Sequence, residues 1–74
     1  MEREKNMGYG IKAIIDSLPE DIQNHIASIR KDYKNDALDK DEVRNYARGY
    51  THGLRDAGLI TERGRQHLIV YLTL

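Results

Sequence analysis

The clearest periodicity in the chain runs through Val43, Tyr46, Ala47, Tyr50, Leu54 and Ala57, which recur at steps of three and four. At about 100° per residue these positions share one face of a helix, and that face is expected to be buried. Asp39 and Glu42 have the spacing of a capping box, with Leu38 and Val43 placed for a hydrophobic staple, so the helix should begin just after Asp39. It should stop at Ala57-Gly58, because a residue without Cβ takes the left-handed conformation that closes a helix at no steric cost.

Leu59 and Ile60 are apolar in the turn that follows and are expected to fold back onto the helix pair, with Thr61 capping a last helix from about Glu62 to Thr73. Residues 43–72 thus read as a helical hairpin. The face of its second arm is Gly64, Leu68, Tyr71 and Leu72, while Ile69 and Val70 point elsewhere, leaving residues 68–72 apolar nearly all round. A short run of this kind is either helix or strand. Helix is the expectation, since a lone strand would have no partner.

Upstream, Ile11, Ile14, Ile15 and Leu18 form a short helical face that ends before Pro19, because the residue before proline avoids the helical region. Ser17 and Glu20 have capping-box spacing for a second helix over about Pro19 to Lys34, whose apolar stripe is Ile22, Ile26, Ile29 and Tyr33. Glu20 and Asp21 lie at its positive end, and Arg30, Lys31 and Lys34 at its negative end. Asn35 to Asp39 reads as a polar connector with Leu38 turned inward. The expected architecture is all-α: a flexible tail over residues 1–10, then a single domain over residues 11–74 built as a compact bundle of about four helices.

At 74 residues the core is near the size where one domain is only marginally sufficient, so burial by self-association would help. No Cys is present, which excludes disulfides and thiolate metal sites. No signal peptide or membrane-length apolar run is recognised, and the expected setting is the bacterial cytoplasm. The 12 basic and 12 acidic residues cancel, yet residues 1–43 hold seven against ten and residues 44–74 five against two. All five basic residues in the second part are Arg, whose planar fork suits carboxylates, phosphates and aromatic faces. Attraction between the two halves, within one molecule or across a dimer, is the first explanation.

Leu54-x-Asp56-Ala57-Gly58-Leu59-Ile60-Thr61-Glu62, followed by Leu68 and Leu72, resembles the consensus of the SHOCT module, a short bacterial helical hairpin. The resemblance covers roughly the last third of the chain. It implies an α-hairpin with a role in oligomerisation and no catalysis.

Two functional classes compete. Gly49 and Gly53, each costing about 1 kcal/mol in a helix interior, form with Ala57 a four-residue repeat that would let another helix approach closely. With the apolar end of the last helix they define a candidate self-association surface of Gly49, Gly53, Leu68, Ile69, Val70 and Tyr71, in a homodimer or with another protein. Arg44, Arg48, His52 and Arg55 fall within about 80° of arc, and Arg63 and Arg65 extend this basic stripe toward a nucleic acid or the acidic residues of the second helix or a partner. A helix-turn-helix reading fits poorly, because Leu54 stands where a small residue is needed and Gly64 where a branched one is usual. The zero net charge also removes the general attraction that most nucleic-acid binders use.

Catalysis has no visible support. His25, His52 and His67 form no metal-ligand pair at helical spacing, and His52 with Asp56 has no nucleophile or oxyanion donor beside it. No cofactor is expected.

Overall fold

The computed structural model describes residues 10–74, so the expected tail lies outside the described residues except for Gly10, which is helical. Four helices follow one another: α1 over residues 10–16, α2 Glu20–Tyr33, α3 Lys40–Asp56 and α4 Glu62–Leu72. The described residues contain no strand, and the apolar end of the chain is helical, as its pattern suggested. The α3/α4 hairpin is the main packing unit, and α2 lies against both of its arms.

The core is small. Leu18, Ile26, Ile29, Ala47, Leu54, Leu68 and Leu72 are buried, and Ile15, Ile22, Val43, Tyr50, Ile60, Ile69 and Tyr71 pack around them. Thr51 is also fully buried, a position absent from the apolar pattern. Its hydroxyl donates to the carbonyls of Ala47 at 2.9 Å and Arg48 at 3.1 Å, which removes the cost of burying it. Tyr46 and Ala57, expected on the buried face, are exposed: the arc covered by neighbouring helices is narrower than the apolar stripe.

The junction between α3 and α4 forms as its residues dictate. Gly58 takes φ +78°, its N–H donates to Arg55 O, and the Leu59 N–H donates to Leu54 O, the pair of bonds that defines a Schellman closure. Thr61 Oγ1 accepts from the Gly64 N–H at 3.0 Å and caps α4. Ile60 folds back against the core, whereas Leu59 stays exposed.

The other two junctions differ from expectation. Ser17 does not cap α2; its hydroxyl donates to Ile14 O at 2.7 Å and so serves the end of α1. Pro19 is itself the N-cap of α2, with no side-chain capping bond. The connector is instead held by the Gln23 amide, which donates to Leu18 O at 2.8 Å. Before α3, Asp39 Oδ1 accepts from the Asp41 N–H at 2.8 Å, so the cap is real, but no return bond from Glu42 is formed. Leu38 is exposed rather than turned inward, because the Asx turn at Asn35, closed by the Ala37 N–H, carries the chain along the surface.

Candidate interaction surfaces

Three surfaces follow from these elements. The first is an open groove of about 580 Å³ between α1 and the end of α4. Ile11 and Ile15 of α1, together with Val70, Tyr71 and Leu74, supply its apolar walls, and Lys12, Asp16 and His67 stand beside them. The spacing explains the shape. Leu68 and Leu72 face the core, so Val70, two residues from each, is turned out and remains 58% exposed, with Leu74 beyond the helix at 71%.

One wall of this groove is fastened from a distance. The Arg30 guanidinium of α2 donates to Tyr71 O and lies 4.1 Å over the Tyr71 ring. The last turn of α4 carries no basic residue of its own, and Arg30 supplies the cation its unpaired carbonyls favour. Arg30, read from its position as serving its own helix, serves α4.

The second surface is the Arg stripe, much of which is already engaged. Arg44 donates to the Tyr33 hydroxyl at 2.8 Å and to Asp41 Oδ1 at 2.9 Å. Those partners raise its pKa, the Tyr33 hydrogen bond most. Arg55 and Arg65 converge on Glu62 at 2.5 Å and 2.7 Å, Arg55 also reaching Asp56. The hydrogen bonds from Arg65, then Arg55, hold the Glu62 carboxyl well below the usual carboxylate range. The acids that meet the stripe therefore come from α3 and α4; α2 contributes the Tyr33 hydroxyl instead of a carboxylate. The side chains of Arg48, His52 and Arg63 are exposed and make no hydrogen bond or ion pair among the described residues.

The third surface is the outer side of α3. Gly49 and Gly53 are exposed, and a Cβ built on either would meet nothing within 4 Å, so neither admits a close helix within the fold. Among the described residues the glycine that is buried is Gly64, whose added Cβ would lie 3.9 Å from Ile14 Cδ1 of α1. Nearby on α2 and α3, Tyr46 and Tyr50 stack with centroids 6.2 Å apart, His25 lies 4.6 Å from Tyr50, and its Nε2 is 2.7 Å from the Tyr46 hydroxyl. Burial, then the neighbouring Tyr46 and Asp21, pushes the Tyr50 phenol up.

The candidate self-association residues thus separate. Val70, Tyr71 and the half-buried Ile69 lie at the open end of α4, Gly49 and Gly53 lie on α3 outside the groove lining, and Leu68 is 0% exposed in the core. Ile11, Ile15 and Leu74, which share the groove, were missed as site residues. The four-residue spacing of Leu74 from Val70 was the available signal for Leu74, but nothing local places α1 opposite it.

Among the described residues no group of three or more His, Asp or Glu is arranged to hold a metal, and no helix is long and apolar enough to cross a membrane. No family model, curated protein or solved structure matches the chain.

Proposed function

We propose that the chain is a non-enzymatic protein-association module whose contact face is the α1/α4 groove. The observation that carries this reading is the exposure of Val70 and Leu74 beside Ile11, Ile15 and Tyr71, an open apolar groove on a fold whose buried apolar core numbers seven among the described residues. Contiguous apolar surface of this kind marks contact sites more often than isolated exposed side chains do. The oligomerisation role implied by the SHOCT-like turn agrees with it. Light scattering across a dilution series should show a mass that rises above the monomer and persists in high salt, since the contact is apolar. Val70→Asp should abolish the rise while leaving the melting temperature nearly unchanged at concentrations where the parent is monomeric, because position 70 lies outside the core.

Polyanion binding is the lesser reading. It rests on Arg48, His52 and Arg63, the members of the stripe whose side chains have no partner among the described residues. With two permanent charges engaged, the logarithm of affinity for duplex DNA should fall with that of salt at a slope of about two. Absence of binding by the parent at low salt would remove it.

A further inference from the structure

We infer that the occupant of the α1/α4 groove is a second copy of this chain, related by a two-fold axis that sets the two α1 helices antiparallel. The inference rests on the association reading above and names its partner and geometry. Three features of the face support a copy of itself. A two-fold contact must be self-complementary, the same patch meeting itself. This face is apolar on both of its sides, Ile11 and Ile15 of α1 lining one groove with Val70, Tyr71 and Leu74, so a second copy can lay the same apolar residues against it.

The rim charges are also self-complementary. Lys12 and Asp16 stand one turn apart on α1, 3.2 Å from each other and 72% and 58% exposed. Two antiparallel copies of α1 centred between these positions place each Lys12 opposite the Asp16 of the other copy. A parallel arrangement would instead set Lys12 against Lys12 and Asp16 against Asp16. The four charges then close a ring around the apolar contact, where rim pairs govern register more than affinity. Tyr71, held by Arg30, gives the groove a fixed wall before any partner arrives, so less ordering is required on contact.

The test uses the full chain and charge reversal, read by light scattering or sedimentation over a concentration series. Lys12→Asp alone sets four acidic groups at the rim of a homodimer, and Asp16→Lys alone sets four basic groups. Each single variant should weaken self-association by about tenfold at low salt, with the loss reduced at high salt. An equimolar mixture of the two should form a heterodimer more readily than either forms a homodimer, and the double variant carrying both changes should regain the parent's self-association. Circular dichroism melting of each variant separates this from misfolding, because an exposed pair on one helix contributes little to the fold.

If the parent associates and Val70→Asp abolishes it, but neither single reversal weakens it and the mixture shows no preference, the two-fold antiparallel geometry is wrong while the groove reading stands. A parent that stays monomeric at every concentration overturns the second copy as occupant and leaves the groove to a different protein. Association untouched by Val70→Asp overturns the groove reading itself.

Discussion

The α3/α4 junction and the α1/α4 flank are built in opposite ways. At the junction, closure is local: Gly58, Thr61 and Glu62 satisfy backbone and charge within a few residues of one another, through the Schellman bonds, the hydroxyl cap and the two Arg side chains. On the flank, helices distant in sequence meet over Leu18, Leu68 and Leu72, but the apolar surface runs past the core into an open groove. Local closure makes the hairpin a finished scaffold. The unfinished surface is the face proposed for contact with a partner.

The sharpest way to break this contrast is to compare two positions two residues apart on α4. Leu68→Ala should destabilise the fold by about 2–5 kcal/mol, the usual cost of emptying a packed site. Val70→Ala should change stability by less than about 0.5 kcal/mol. Urea unfolding of both would check this, and equal losses would mean that the groove is closed in solution.

A smaller effect distinguishes the two junctions. Gly58→Ala forces a side chain into the left-handed region at a cost of about 1–2 kcal/mol, and Thr61→Ala removes a cap at a cost of about 1 kcal/mol. Ser17→Ala, at a superficially similar capping signature, should cost less than about 0.5 kcal/mol, because its hydroxyl serves no donor of α2. Thermal melts ranked in any other order would show that the α1/α2 connector carries more of the fold than its bonds suggest.

The smallest expected effect is a pH dependence at Glu62. Its carboxyl is held below the ordinary value of 4.5 by Arg65 and Arg55, so the stabilisation is complete above that value and is lost as pH falls through the lowered one. Glu62→Gln should therefore melt slightly below the parent at neutral pH. The gap should narrow only as acid brings the pH well under 4.5. A gap that grows in acid would reverse the assignment.

How much of this was legible from the residues depends on the distance over which each decision is made. Asp39, Gly58 and Thr61 act on backbone groups within one turn; Gly58 and Thr61 do what their type and spacing imply, and Asp39 caps its helix without the return bond that its spacing to Glu42 suggested. Ser17 was misread because a hydroxyl both donates and accepts, and nothing in its spacing to Glu20 says that it will donate backward to Ile14. Tyr46 and Leu38 were assigned to the interior because periodicity gives the direction of a face, not the width that neighbouring helices cover. The groove and the Arg30 contact join residues far apart in the chain, Arg30 and Tyr71 being 41 positions apart, and no local pattern encodes such a meeting. The four-residue glycine repeat was legible as spacing alone; its open surroundings in the fold leave it no packing role there.

Arg30 has a consequence for motion. A helix ordinarily frays at its last turn, where the carbonyls lack intrahelical partners. Here the Tyr71 carbonyl is tethered to α2, so the last turn cannot unwind without also releasing a guanidinium from the middle of the sequence. Amide hydrogens near Thr73, whose N–H is bonded to Ile69 O and Val70 O, should then exchange with deuterium at rates set by opening of α2 and α4 together. The last turn of α4 would keep time with α2.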